Sequence, residues 1–184
     1  MIKLSTLKDK YVGRPAAVLG GGPSLPGDMA RLPANCVLIA VNYHAGLIDV
    51  IPDFLVYNDA PDSDHFMADA VMSTHAVRVS PDPSSDIKFD VDVWTGFYSS
   101  NTAAWFALWL GCDPVILCGM DCYQGEIKHC HPDDHDSPCW HYPLYDHIRP
   151  WIEDGRRRLP HVERLRVMSG PLANVFPLYE GVTA

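Results

Sequence analysis

Short apolar runs, most of them closed by a glycine, asparagine, aspartate or serine, alternate along this chain with stretches of helical spacing. Runs of that length between turn residues read as buried strands. They fall at Pro15–Leu19, Cys36–Val41, Phe54–Tyr57, Ala76–Val79, Pro114–Met120 and Leu165–Met168. Helices are predicted between them over Pro26–Leu32, Asp64–Ser73, Asn101–Leu110 and Tyr145–Arg157. Pro150 either sits in the first turn of the last of these or kinks it. Asn101–Leu110 is almost entirely apolar, the mark of a helix buried on most faces. Ser99, Ser100 and Asn101 are good cap residues at its start, and Gly111 is a natural stop. Residues 1–14 read as a lead-in with a helical turn. Residues 80–92, rich in Pro, Asp and Ser, read as a loop. Residues 123–142 have no clear period, and the chain after Ser169-Gly170-Pro171 closes in a short helix or turn.

Strands alternating with helices define an α/β chain: a Rossmann-like, mainly parallel sheet with helices on both faces. The 184 residues suit a single nucleotide-binding domain over 1–184, with residues 123–147 as a lid or insertion. In such sheets ligands bind at the carboxyl ends of the strands. That rule gathers Gly20, Gly21, Gly22, Pro23, Ser24, Asn42, Asn58, Asp121 and Ser169 onto one rim. Glycines directly after a strand let the backbone turn tightly and approach a ligand, so a phosphate can meet bare N–H groups and a helix N-terminus. Neither a dinucleotide fingerprint nor a Walker A loop is present. The same glycines also fit a plain tight turn.

Charge and composition narrow the partners. A net charge of −9 argues against a nucleic-acid binder, whose footprint is basic. No run of 18 apolar residues exists, which excludes a membrane-spanning helix. Met1-Ile2-Lys3-Leu4 leads into charged residues and not into an apolar signal core, and six cysteines without a small-scaffold spacing fit a reducing cytoplasm. Cys36, Cys112 and Cys118 lie in or beside apolar runs and read as buried thiols. The aromatic content of residues 94–98 suggests a contact between subunits of a homo-oligomer.

Gly20-Gly21-Gly22-Pro23-Ser24-Leu25 after a first strand resembles the G-x-G-P-S-L loop of bacterial lipooligosaccharide sialyltransferases. It also resembles that of a related group that includes flagellin-glycosylation proteins, which is similar in turn to archaeal hydroxymethylpterin diphosphokinases. Asn42 and Asn58 match the asparagines that contact the nucleotide in the sialyltransferases. Ser99-Ser100, the helix after them and Ile116–Tyr123 look like their central serine-helix-strand block. Leu172-Ala173-Asn174-Val175-Phe176 resembles the segment after their last strand. Gly21 departs from the pattern, since the family loop often carries an asparagine between its glycines. His141-Tyr142 matches the start of the segment that holds the family's histidine base. The base position itself aligns nearer Tyr145, with His147 two residues on.

The resemblance implies transfer from a nucleotide or nucleotide-sugar donor to a small-molecule or glycan acceptor. Gly20–Ser24, Asn42, Asn58, Ser99 and Ser100 would hold the nucleotide. Tyr123 or Tyr142 would stabilise the departing phosphate in place of a metal. His147 or His141 would serve as general base, a role that suits the imidazole pKa. A diphosphokinase-like reaction would instead need Mg²⁺, with Asp121 as its ligand. Asp121 could equally cap a neighbouring turn, and a silent nucleotide-binding module is a further reading. His129, His131, His135 and Cys139 lie in a segment dense in His, Cys and Asp that could bind zinc, although its spacing matches no standard zinc motif. A polar lid over the cleft accounts for the same residues. Arg149, Arg156, Arg157, Arg158, Arg164 and Arg166 form a solvated basic face or an anion contact, and Trp105 and Trp109 fit the core.

Overall fold

The computed structural model describes residues 1–59, 74–132 and 138–181. The strands are β1 (Ile2–Lys3), β2 (Ala16–Leu19), β3 (Val37–Val41), β4 (Phe54–Val56), β5 (Val77–Val79), β6 (Ile87–Lys88), β7 (Val115–Cys118) and β8 (Leu165–Val167). They form one sheet in the order β1-β6-β5-β4-β3-β2-β7-β8, and every pairing is parallel. Each apolar run of the sequence became a strand, shortened by a residue or more. The edge pair β1 and β6 is an addition, because two-residue strands leave no pattern to read. β6 corrects the loop expected over 80–92. Its position follows from Asp86, whose carboxylate takes guanidinium bonds of 3.0 and 2.8 Å from Arg78 and turns the chain back beside β5.

Side chains alternate across the strands, so the sheet buries both faces. Ala16 and Val18 of β2 join one apolar layer; Ala17 and Leu19 join the other. The first layer is covered by helix α2 (Ser99–Trp109), by Ile148 of helix α3 (Leu144–Pro150) and by Leu4 and Leu7 of the lead-in. The lead-in has the expected helical turn (Leu4–Leu7), tied down by a 3.1 Å bond from Trp109 Nε1 to the Leu4 carbonyl. The second layer is covered by helix α1 (Leu25–Met29) through Leu25 and by the 3₁₀ turn His44–Ile48 through Ala45.

Helix boundaries moved for identifiable reasons. α2 begins two residues before the predicted start, at Ser99, with Tyr98 as its N-cap. Asn101 accepts the Tyr98 N–H at 3.1 Å through Oδ1 and so closes the first turn from inside. Its end is the predicted one in kind. Gly111 has φ +81°, and the N–H groups of Gly111 and Cys112 return to Leu108 and Ala107 at 3.0 and 3.2 Å, a Schellman closure. The helix expected over Tyr145–Arg157 runs as α3, a π-helical stretch (Trp151–Gly155) and a last turn (Arg156–Arg158). Pro150 has no N–H to bond back into α3, and the helical register widens directly after it. The helix expected over Asp64–Ser73 lies outside the described residues. Trp94 is in the core and Phe97 is exposed, so the suggested contact surface of residues 94–98 is only partly at the surface.

Successive strands β2, β3, β4 and β5 step outward in one direction, and β7 and β8 lie on the other side of β2. The crevice beyond the carboxyl ends of β2 and β7 is therefore the topological switch point. One buried carboxylate holds it. Asp28 is 1% exposed. Its Oδ2 accepts the Gly119 N–H after β7 at 2.9 Å, and its Oδ1 accepts the Ser169 hydroxyl after β8 at 2.7 Å and Arg31 at 2.9 Å. Arg31 also reaches the Met168 carbonyl at 3.1 Å. No helix among the described residues is long and apolar enough to cross a membrane.

Two outcomes follow from this packing. Asp28→Ala strands the buried Gly119 N–H and removes the acceptor of the Ser169 hydroxyl, and a loss of about 1–3 kcal/mol is expected in urea unfolding. Burial pushes the Cys36 thiol up to about 11 and that of Cys112 up to about 12, and raises that of Cys118 further. All three are therefore protonated thiols at pH 8. Peptide mapping after iodoacetamide treatment should find them unmodified in native protein and modified in urea.

Candidate functional site

The glycine loop leaves β2 pressed against the segment that leaves β7. Gly20 donates to the Cys118 carbonyl at 2.8 Å and Gly22 to the Gly119 carbonyl at 2.9 Å. A Cβ on Gly20 would lie 2.5 Å from the Gly119 oxygen, one on Gly21 would lie 2.5 Å from the His44 ring, and one on Gly22 would overlap the Asp121 carboxylate. All three glycines are thus demanded by contacts within the protein. The two N–H groups of Gly20 and Gly22 are used inside the sheet, which makes the loop a wall of the crevice more than an open phosphate nest. Ser24 turns inward: its N–H and Oγ lie 3.0 and 2.8 Å from Asp121 Oδ2. Asp121 does cap the turn that opens α1, and it also lines the crevice.

The crevice has a volume of about 110 Å³, several times the roughly 10–15 Å³ that one water needs. Of the residues singled out from the sequence, Gly20, Gly21, Gly22, Asn42, Ser99, Ser100, Asp121, Tyr123, His129 and His147 line it. Pro23 and Ser24 do not. Asn58 does not either, because its amide works one layer behind. Its Nδ2 donates to the Gly96 carbonyl at 3.2 Å, its Oδ1 accepts the Thr102 hydroxyl at 2.8 Å, and its N–H donates to Ser99 Oγ at 3.1 Å. Asn58 thereby fixes the start of α2, whose first turn faces the crevice with Ser99 and Ser100. Ser169 is spent on Asp28.

Asn42 stands at the end of β3 with φ +54°, and its N–H donates to the Val56 carbonyl at 2.9 Å. Its Oδ1 is buried with no hydrogen-bond partner among the described residues. A buried carbonyl oxygen on a cavity wall is an acceptor waiting for a donor. Cys122 and Tyr123 follow Asp121 with φ of +53° and +54°, a left-handed pair costly for residues with a Cβ. Three of the six left-handed non-glycine residues among those described, Asn42, Cys122 and Tyr123, stand on the crevice wall.

His147 is 2% exposed, and its Nδ1 lies 2.8 Å from the Tyr98 hydroxyl. The rings of Tyr98, Tyr123 and Tyr142 surround it at centroid distances of 5.8, 5.4 and 6.0 Å. Helical geometry separates Tyr145 from His147. Tyr145 is 60% exposed on the outer face of α3, and His147 is on the buried face of the same helix. His141, in the 3₁₀ turn Pro138–His141, is exposed and does not line the crevice. Tyr142 lies at its edge, in a second hollow with Phe97, Asp146, Arg149 and Pro150. None of Arg156, Arg157, Arg158, Arg164 and Arg166 lines either space; Arg157 pairs with Asp154 and Arg164 with Asp113.

Sequence reasoning missed Asp28, His44, Tyr98 and Lys128. Lys128 lines the crevice and closes the turn before it, with Nζ donating to the carbonyls of Tyr123 and Gly125 at 2.9 and 2.7 Å. His44 sits two residues past Asn42, and that spacing at a strand end was its one signal. The zinc candidates are regrouped: His129 and His131 come together with His44, and Cys139's side chain and His135 lie outside what is described. Between His129 and His131, Cys130 donates its N–H to the Gly21 carbonyl at 2.8 Å and ties this segment to the glycine loop.

No family model matches the sequence, and no curated protein matches it. Among solved structures the chain is similar to the sialyltransferase CstII from Campylobacter jejuni in complex with a substrate analogue, cytidine-5'-monophosphate. The TM-score is 0.60 at 12% identity, over 91% of this chain and 85% of that one. The same sialyltransferase with CMP-3FNeuAc matches at a TM-score of 0.60 and 13% identity, over 92% and 88% of the two chains. A MAf glycosyltransferase from Magnetospirillum magneticum AMB-1 overlaps 65% of this chain and 26% of its own at 18% identity. Its TM-score of 0.44 is below the level at which two chains share a fold. The likeness to the sialyltransferase is one of fold: a Rossmann-like α/β sheet with its crevice at the switch point.

The loop makes a paired prediction. Gly22→Ala drives a methyl into the Asp121 carboxylate and should cost about 1–3 kcal/mol in urea unfolding. Gly27→Ala, where a Cβ meets nothing within 4 Å, should be neutral or stabilising by up to about 1 kcal/mol.

Proposed function

We propose that the chain is a nucleotide-dependent transferase of the glycosyltransferase kind, taking a CMP-linked sugar as donor. The observation that carries this reading is His147: a buried imidazole on the crevice wall, held through Nδ1 by Tyr98 and ringed by three tyrosines. The fold-level likeness to a sialyltransferase in complex with cytidine-5'-monophosphate supports it. So does the buried Asn42 oxygen, an acceptor suited to a nucleotide amino or hydroxyl group.

In this reading Nδ1 of His147 donates to the Tyr98 hydroxyl, which orients the ring and leaves Nε2 to act as base. The acceptor hydroxyl gives its proton to Nε2 as its oxygen bonds to the anomeric carbon. The bond from that carbon to the phosphate oxygen breaks, and its electron pair leaves with CMP. The hydroxyls of Tyr123 and Tyr142 would donate to the departing phosphate, a contact worth most in a site closed to water. Lys128 adds positive charge to the same wall. Asp121 would be the Mg²⁺ ligand of a diphosphate transfer. Its Oδ2 is engaged by Ser24 twice over, which favours the metal-free reading.

Thermal shift of EDTA-treated protein tests the proposal. CMP without metal should raise the melting temperature by mass action. His147→Ala should keep that shift and lose about 10²–10⁴-fold in donor turnover. Asn42→Ala should weaken the shift. Stabilisation by ADP or ATP only with Mg²⁺ would replace this reading with diphosphate transfer. A CMP shift with no turnover in wild-type protein would replace it with a binding module.

A further inference from the structure

We infer that His44, His129 and His131 form a binding site for a zinc-class divalent ion on the wall of the crevice. The inference is independent of which nucleotide, if any, the crevice takes. One ring nitrogen from each histidine lies within 4.8 Å of the other two, and two of the three rings are buried. The closest pair is His44 Nδ1 and His131 Nε2, 2.9 Å apart. Two nitrogens on one tetrahedral zinc ion, each at about 2.0–2.1 Å, stand about 3.4 Å apart. Coordination therefore requires this pair to open by about 0.5 Å and the rings to rotate until their in-plane lone pairs converge on one ion.

The sequence supplies the geometry in two pieces. His129 and His131 flank Cys130 where the chain bends, and Cys130 packs against the apolar layer of Leu19 and Leu25. The Cys130 N–H on the Gly21 carbonyl holds that segment in register. His44 opens the 3₁₀ turn after β3 and lies flat beneath Gly21, where a Cβ would strike its ring. The three rings stack at 4.5 to 5.2 Å.

The protonation pattern fits a metal ligand. His131 Nδ1 lies 2.9 Å from the Pro132 carbonyl, which can only accept, so Nδ1 carries the proton and Nε2 accepts from His44 Nδ1–H, the proton that a bound ion would displace. An imidazole that donates one N–H to a backbone carbonyl and turns its other nitrogen to the ion is the usual arrangement around zinc. Ligands that are all imidazole select zinc, nickel, copper or cobalt over magnesium. Three protein ligands leave a fourth position for water or an anionic oxygen. An ion held there ties the lid segment to the loop after β3, across the mouth of the glycine wall.

Isothermal titration of the EDTA-treated full chain with Zn²⁺, with Co²⁺ as a spectroscopic stand-in, tests the site. One equivalent of Zn²⁺ should bind, excess Mg²⁺ should not compete, and Co²⁺ should give the intense visible bands of a four-coordinate ion. His44→Gln and His131→Gln should each weaken Zn²⁺ about 100-fold or more. His161→Gln, an exposed histidine beside Glu163, should change nothing. His131 is only half-buried, so its variant remains informative if His44→Gln fails to fold, with circular dichroism as the check. Absence of stoichiometric binding, or equal binding in a folded His131→Gln, overturns the site. Neither result bears on CMP binding, which is read separately in EDTA.

Discussion

The crevice depends on the buried carboxylate of Asp28. A doubly wound sheet has an opening at its switch point because the chain leaves neighbouring strands in opposite directions there. Nothing in the ladder of strand hydrogen bonds fixes how the loops beyond those strands sit against each other. Asp28 does so by accepting from the segment after β7, the segment after β8 and Arg31 at once, from a helix that itself follows β2. An ionised acceptor holding several donors is stronger than the same number of neutral pairs. Its burial makes the arrangement demanding, since losing it leaves the Gly119 N–H without its partner and frees the Ser169 hydroxyl, while Arg31 keeps the Met168 carbonyl.

From that anchor the walls of the crevice follow in order. The glycine loop lies so close to the β7 segment and to His44 that side chains are excluded at three successive positions. Asn58, behind the wall, sets the start of α2 through Ser99, Gly96 and Thr102. Tyr98, the cap of that helix, then reaches His147 on α3. A chain of short polar contacts thus runs from Asn58 along the start of α2 and ends on the buried imidazole of His147. The segment after β7 borders the remaining side through Cys130 on Gly21 and through Lys128 on its own turn.

Two chemistries share this space: a tyrosine-ringed histidine at one end and three stacked histidines at the other, with Tyr123 and His129 in edge-to-face contact between them. The protein as a whole is acidic. Around the crevice, imidazoles, phenols, helix-end N–H groups and Lys128 stand in place of carboxylates, except at Asp121, whose Oδ2 is taken up by Ser24. That local composition is compatible with an anionic ligand despite the global field.

Apolar runs bounded by turn residues were enough to locate the six longer strands and α2, because burial on both faces of a parallel sheet leaves little room for polar residues within a strand. The rim was legible for the same reason: a strand end is where the pattern breaks, so Gly20–Gly22, Asn42 and Asp121 announced themselves. Contacts across the fold were not legible. Asp28 sits in a five-residue helix with no local sign that it is buried. Asn58 and Ser24 have the same residue types as true wall positions and differ only in which way packing turns them. His147 and Tyr145 are two residues apart on one helix, and only the burial of one face chose between them. His44 met His129 and His131 across 85 or more residues, because strand order, and not sequence spacing, brought the ends of β3 and β7 within reach of each other.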